Sequence, residues 1–386
     1  MAILVAGATG RVDDPSKSSP ARGLRGSRPV RYEKGGERLR SSGAELVGGV
    51  TDPADMFALF DATGYAADSA PLRRDSRARR KCSRSGQVSR SPGKVNFLFV
   101  ARILHASDLH FGRPAVAAQL VSLRDCITEL APDAVAISGD LTQRCANSEF
   151  VRARAYLDDI RKAAPVTVIP GNHDVRWLGA VARNFGFWRK TAHEFKYSRY
   201  ARHISPELSP TLEVPGAVIA GCNTAHGISR GSLTRRFRDL GVIGHVKRRD
   251  LVKVEETFAK ASPHAVRIVM IHHNPIKGET SGRHGLANTK QALRAFAALG
   301  VELVLCGHDH QEAIHTVEES SPGLVISTAG TISNRIRAGR PSSFNLVEID
   351  ESALRVTTYA WQNPEGFAPS REHSFLRGTG AMRGRA

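Results

Sequence analysis

From about Phe97 onward, apolar runs of strand length alternate with amphipathic stretches of helix length, and five of the runs end in residues able to ligate metals. RILHASDLH closes on Asp108 and His110, DAVAISGD on Gly139 and Asp140, and VTVIPGNHD on Gly171, Asn172, His173 and Asp174. VRIVMIHHNP closes on His272 and His273, and VELVLCGHDH on Gly307, His308, Asp309 and His310. Helical stretches intervene at Ala115–Leu130, Ser148–Lys162, Val246–Ala261 and Thr289–Leu299; the first has Val116, Leu120, Leu123 and Ile127 on one face. The β-α-β alternation implies a largely parallel, buried sheet. VPGAVIAGCN reads as one further strand. The later run EAIHTVEE, GLVISTAG, FNLVEID and ALRVTTYAW implies a second sheet packed against the first. In parallel α/β sheets the functional crevice lies outside the carboxyl ends of the strands, where all five clusters fall.

The residue types then limit the chemistry. Carboxylate, amide oxygen and imidazole without thiolate suit divalent Mn, Fe or Zn. Several such groups converging would leave buried polar atoms unpaired unless cations filled the gap. Two ions roughly 3.5–4 Å apart would clamp a phosphoryl oxygen and lower the pKa of bound water toward about 7. Gly139, Gly171 and Gly307 permit the tight turns that aim adjacent side chains at one point. Taken singly, each histidine reads more often as a core or surface residue than as a ligand, and each Asp or Asn reads also as a turn residue. Only their joint placement at five strand ends carries the metal reading. His273 is open between a structural role and a contact near the site. Asn223, His226, His284 and Arg144 are open between loop positions and residues shaping a substrate pocket. The aromatics of NFGFWRKTAHEFKYSRYARH suit an apolar helix face, with a cap or a nucleic-acid surface as the alternative.

Composition bounds the rest. At 41% hydrophobic residues the 386-residue chain can build a core, so a wholly disordered protein is excluded. No stretch has the roughly 18–20 consecutive apolar residues of a membrane-spanning helix. MAILVAGATG lacks a basic leader and a long apolar region, so no secretory signal is expected. Five scattered cysteines without a C-x-x-C pair argue against a disulfide scaffold and fit a cytoplasmic location. The net charge is +18. Residues 1–95 hold 18 Lys and Arg against 10 Asp and Glu, and Arg73–Lys94 alone has nine basic residues and one acid. That run cannot bury enough apolar surface to fold, so residues 67–96 read as a basic disordered linker. The remaining +10 suits steering of an anionic substrate, so a nucleic-acid partner is possible but not favoured. The last residues, 363–386, rich in Gly, Arg and Ser, read as a flexible tail.

Two resemblances follow from these motifs. MAILVAGATG and SSGAELVGGVTDPADMFALF, within residues 1–66, resemble the opening of an NmrA-like NAD(P)-binding Rossmann protein. Asp13 stands where the fingerprint needs its third glycine, and Pro15 and Pro20 break the expected helix, so this segment reads as a non-functional remnant. DLH, GDLTQR, GNHD, HHNP and GHDH, within residues 97–362, resemble the calcineurin-like metallophosphoesterase superfamily, most of all its bacterial cyclic-nucleotide phosphodiesterases. The resemblance implies an α/β (α+β) fold, a four-layer αββα sandwich of two mixed sheets flanked by helices. It implies a dinuclear centre, with one metal on Asp108, His110, Asp140 and His310 and the other on Asp140, Asn172, His272 and His308. His173 would stabilise the phosphoryl charge or protonate the leaving oxygen, with Asp174 orienting its other ring nitrogen. The implied reaction is in-line attack on phosphorus by hydroxide generated at the metals, on a small phosphodiester. A nuclease, or a non-catalytic scaffold of the same fold, is the alternative.

Overall fold

The computed structural model describes residues 3–4, 26–29, 46–47, 101–176, 192–227, 242–276, 285–317, 323–337 and 339–377, and the chain divides into two units, Met1–Asp75 and Ser76–Ala386. In the first unit β1 (Ile3–Leu4), β2 (Gly26–Pro29) and β3 (Leu46–Val47) pair in parallel in the order β1-β2-β3. β1 and β3 fall in the two stretches read as Rossmann-like. The rest of that reading, and the linker at 67–96, lies outside the described residues.

The second unit holds two six-stranded sheets. β4 (Ala101–Ala106), β5 (Ala134–Ile137) and β6 (Val166–Val168) run parallel, joined by α1 (Ala117–Leu130) and α2 (Asn147–Ile160). Helix α1 buries Leu120, Leu123, Ile127 and Leu130, three or four residues apart on one face. It stops at Ala131, which turns left-handed and donates its N–H to the Ile127 carbonyl. Helix α2 starts where the Glu149 carboxylate accepts the backbone N–H groups of Ala146 and Arg144. A short 3₁₀ turn (Asn172–Asp174) and α3 (Ala192–His203) follow.

The chain then builds the other sheet. It comprises β7 (Thr211–Val214), β8 (Ala217–Gly221), β9 (Val266–His273), β10 (Leu303–Gly307), β11 (Ala313–Val317) and β12 (Leu324–Thr328), in the order β11-β12-β10-β9-β8-β7. Helices α4 (Arg248–Lys260) and α5 (Thr289–Ala298) cover its outer face, where Val254, Phe258 and Phe296 meet Val269 and Val304. The stretch read as one strand, VPGAVIAGCN, is the end of a hairpin. Pro215 fixes one turn position and Gly216, at φ 74°, supplies the left-handed one, so β7 and β8 pair antiparallel.

The last strands are β13 (Ser343–Ile349), β14 (Ala353–Gln362) and β15 (Gly366–Leu376). They do not join the later sheet, as the run of strands suggested. They extend the first one, in the order β15-β14-β13-β4-β5-β6, with β13 antiparallel to β4. Each sheet is therefore mixed. Ile103 and Ala136 face Ile219, Ile268, Met270 and Leu305 between the sheets, while Leu104, Val135 and Ile137 pack outward on α1 and α2. The result is the expected four-layer αββα sandwich.

The flexible tail read at 363–386 is corrected over 363–377, and the remainder lies outside the described residues. β15 pairs along β14 from Ala353↔Leu376 to Gln362↔Gly366, and Phe367 is buried against Phe344 and Trp361. An edge strand with one solvated face carries mostly polar residues, so its composition reads as a tail; the pairing is non-local. Of the cysteines, Cys145, Cys222 and Cys306 are buried free thiols. Among the described residues no helix is long and apolar enough to cross a membrane.

Candidate metal centre

The carboxyl ends of β4, β5, β6, β9 and β10 converge on one polar cleft. The turns after β4 and β5 are zipped together: Asp108 N–H bonds the Gly139 carbonyl and His110 N–H the Asp140 carbonyl, each at 3.0 Å. Asp108, His110, Asp140, His308 and His310 all have φ between 46° and 73°. Left-handed backbone at a non-glycine residue costs about 1–3 kcal/mol and persists where surrounding contacts over-determine it. Here it is repeated at five of the seven residues predicted to hold metal. Gly171 and Gly307 make close approaches here: a Cβ on Gly171 would overlap the Asp140 side chain and backbone nitrogen, and one on Gly307 the Ser107 hydroxyl.

Asp108, His110, Asp140 and His310 bring one ligand atom each to within 4.8 Å of one another, all buried. His310 Nε2 lies 3.2 Å from Asp108 Oδ1 and 3.1 Å from His110 Nε2. His110 Nε2 lies 3.6 Å from Asp108 Oδ1 and 3.8 Å from Asp140 Oδ2. The same Asp140 oxygen is 3.5 Å from His272 Nε2. Around it sits a second group: Asn172 Oδ1 is 3.1 Å from His272 Nε2 and 3.0 Å from His308 Nδ1. All seven predicted ligands therefore meet, and Asp140 stands between the two groups. His273 also brings a ring nitrogen to within 4.8 Å of His272 and His308, but its Nδ1 is held by Thr224 Oγ1 at 2.8 Å.

The donor atoms fit divalent cations. Asp108 Oδ1 and Asp140 Oδ2 are buried without a hydrogen-bond partner, a costly state for a carboxylate unless a cation faces it. Ligand atoms about 2.1 Å from a shared ion lie roughly 3.0–3.4 Å apart, close to the spacings found here. Two rings are fixed in the required orientation. His272 Nδ1–H donates to the Ser138 carbonyl (2.7 Å) and His310 Nδ1–H to the Arg335 carbonyl (2.8 Å), so Nε2 of each ring is the nitrogen left to face the cleft. Despite burial the Asp140 charge pushes the His272 imidazole up to about 9, so a cation bound there would displace its Nε2 proton. Burial alone would raise the Asp108 carboxyl, but the imidazoles of His310 and His110 hold it well below the usual carboxylate range. Asp140 behaves likewise, through His272 and His173. Burial pushes the His308 imidazole down to about 3, keeping it neutral as a ligand must be.

Asp174 departs from expectation. It does not touch the His173 ring, whose Nδ1–H donates to the Gln143 carbonyl at 2.7 Å. Instead its carboxylate accepts the backbone N–H groups of Leu141, Thr142 and Gly171, together with the Thr142 hydroxyl. It ties the turn after β5 to the turn after β6. Burial and the nearby Asp140 charge push its carboxyl up to about 6. Asp174→Asn turns an NH₂ toward N–H donors, and we expect it to lower stability by about 2–4 kcal/mol in equilibrium urea unfolding. An unchanged unfolding midpoint would show that this hub adds nothing.

His173 sits at the rim of the first group, its backbone N–H bonded to Asp140 Oδ1 at 2.8 Å and its ring 5.0 Å from that of His110. Beside it is a residue the motifs did not single out. Arg335 Nη1 lies 3.1 Å from His173 Nε2, 3.4 Å from His110 Nε2 and 3.2 Å from Gln143 Oε1. Nothing in residue type separates it from the other Lys and Arg of a chain with 55 of them. Of the other pocket candidates, Asn223 and His226 are engaged by groups outside the two ligand clusters. Asn223 holds the Ala225 N–H and the Tyr197 hydroxyl, His226 is buried between Tyr197 and Asp250, and Arg144 is exposed. His284 lies outside the described residues.

Comparison with known proteins places this arrangement. No curated protein matches the chain. Among solved structures it is similar to a purple acid phosphatase from yellow lupin (Lupinus luteus) seeds, with 14% identity over 72% of this chain and 54% of that one, at a TM-score of 0.50. The chain thus spans about half the length of the lupin protein, and at this identity the likeness concerns the fold alone. A dimetal phosphatase from Danio rerio aligns at 12% identity over 72% of this chain and 99% of that one, with a TM-score of 0.49. The family model described as calcineurin-like phosphoesterase matches residues 101–312, more than half of the 386 and the span that carries every residue of the two clusters. The chain belongs to the calcineurin-like phosphoesterase family.

Proposed function

We propose that the chain is a dinuclear metal-dependent phosphoesterase acting on a small phosphodiester, with cyclic nucleotides the first substrates to test. The observation that carries the reading is the placement of Asp140 Oδ2 between His110 Nε2 at 3.8 Å and His272 Nε2 at 3.5 Å. Asp108, His110, Asp140 and His310 would hold one ion, and Asp140, Asn172, His272 and His308 the other, of Fe, Mn or Zn. Two such ions supply a hydroxide nucleophile at neutral pH and neutralise charge on the phosphoryl oxygens.

The chain's own groups support the remaining work. The Gln143 carbonyl fixes the His173 Nδ1 proton, so Nε2 faces the cleft and is the atom that would carry a proton to the leaving oxygen. A proton on Nε2 would confront the Arg335 N–H at 3.1 Å, so this transfer requires the guanidinium to turn aside. Asp174 and the zipped turns hold the ligands in place before substrate arrives. That matters because a misplacement of about 1 Å can cost about 10²-fold in rate.

The test is a panel on the full chain reconstituted with Mn²⁺, Fe²⁺ or Zn²⁺, comparing cyclic nucleotides, linear phosphodiesters, phosphomonoesters and single-stranded DNA. The expected result is metal-dependent hydrolysis that is fastest on a small diester. Faster cleavage of single-stranded DNA would replace the small-substrate reading with a nuclease. No hydrolysis of any substrate by protein shown to carry metal would leave a scaffold.

A further inference from the structure

We infer that Arg335 is a substrate-binding residue, its guanidinium taking a phosphoryl oxygen at the rim of the first ligand group. The inference rests on the phosphoesterase reading above. Four observations lead to it. First, among the described residues the half-buried guanidinium engages only through Nη1, and only with two imidazole nitrogens and an amide oxygen. A guanidinium carries five N–H donors in a planar fork matched to carboxylate or phosphate. Among the described residues no carboxylate lies within ion-pair distance of this guanidinium; the negative charges acting on it are those of Asp140 and Asp108, both in the predicted ligand set, whose charge bound cations would neutralise.

Second, its present acceptors are provisional. His110 Nε2 belongs to the predicted ligand set, and His173 Nε2 is the atom assigned to proton transfer. Both are lone pairs with other work in the loaded site. Turning the fork onto a phosphoryl oxygen would release His173 Nε2 at the moment that nitrogen is needed.

Third, the loop that carries Arg335 is anchored to the turn that carries the ligands. Thr331 Oγ1 donates to the Asp108 carbonyl at 2.8 Å, and Asn334 N–H to the Pro114 carbonyl at 2.9 Å. The Arg335 carbonyl itself receives His310 Nδ1–H. These bonds fix the backbone from which the guanidinium turns, so the fork can reach a phosphoryl oxygen without the loop having to order first.

Fourth, this geometry separates two roles of one residue. The carbonyl serves the metal ligand His310 and survives any side-chain substitution, whereas the guanidinium serves the cleft. Side-chain variants therefore report on substrate binding with the ligand set intact.

The experiment compares the Mn²⁺-reconstituted full chain with Arg335→Gln and Arg335→Lys. It measures bound metal, thermal melting, calorimetric binding of inorganic phosphate, and steady-state hydrolysis of an aryl phosphodiester. For Arg335→Gln we expect unchanged metal content and melting, about 10-fold weaker phosphate binding, and a kcat/KM lower by ~10²-fold. Arg335→Lys keeps the charge without the fork and should recover part of both losses. Phosphate affinity and kcat/KM within twofold of the parent in metal-replete Arg335→Gln would overturn the inference. Loss of metal in both variants would overturn it as well, by making Arg335 a support of the ligand set. If the parent chain binds phosphate but hydrolyses no phosphoester, the functional reading fails while the phosphate-binding comparison still decides the role of Arg335.

Discussion

Asp140→Ala should lower phosphoester hydrolysis by at least ~10³-fold in a metal-replete assay, because it removes the one carboxylate that both ligand groups share. Several kcal/mol of transition-state stabilisation come from such ions, and each 1.36 kcal/mol is tenfold in rate. The buried side chain presents Oδ2 to His110 and His272, while Oδ1 accepts the His173 N–H, so no neighbour can substitute for it. Asp140→Asn is the companion variant. It keeps an acceptor for His173 and the side-chain size but removes the negative charge between the two groups, so it should lose activity while retaining its far-UV circular dichroism. Bound metal, counted per chain, should fall in both variants. Parent-like turnover in either, with metal present, would remove Asp140 from the centre of the mechanism.

Gly171→Ala should damage the centre nearly as much without touching a ligand. A Cβ at residue 171 would overlap the Asp140 carboxylate and backbone nitrogen, and the backbone there has no freedom to withdraw. The Gly171 N–H is already fixed to Asp174 Oδ2 at 3.0 Å, and a Cβ on Gly139 would in turn meet Gly171 at 2.8 Å. Overpacking of this kind costs about 1–3 kcal/mol. Here the displaced group is the shared ligand, so metal affinity should fall together with stability. Gly323→Ala is the control, since its Cβ would meet only the Val317 carbonyl at 3.9 Å. Metal titration and urea unfolding of the two variants check the prediction. A Gly171→Ala chain that binds metal as tightly as Gly323→Ala would show that the turn yields more easily than its contacts imply.

The ligand set was legible because each ligand directly follows an apolar run. A strand that ends at a sheet edge delivers its last residues and the first few that follow to the crevice, so position along the chain and position in space coincide for Asp108, Asp140, Asn172, His272 and His308. Residues whose role depends on orientation were not legible in this way. The family resemblance implied that Asp174 orients the ring of His173. In the 3₁₀ turn the two side chains diverge, and Asp174 points back to the turn after β5. The hairpin at Pro215 and Gly216 had a local signal, Pro followed by Gly, that a continuous apolar reading overrode.

Sheet membership had no local signal at all. β13 pairs with β4, so Asn345 sits opposite His105 and Ile349 opposite Ala101, across most of the length of the second unit. Only packing of both faces decides which of two sheets an apolar strand completes, and β15 is a strand only because β14 is beside it. The same holds for Arg335, 162 residues from His173 in sequence and 3.1 Å away in space. The amino-acid sequence determined the kind and order of the ligands, because ligand chemistry is a property of residue type and strand ends are local. The tertiary structure alone decided which Asp140 oxygen lies between the two groups, which ring nitrogen faces a carbonyl, and which arginine of a basic chain stands beside His173, because those are distances between groups the chain brings together only when it folds.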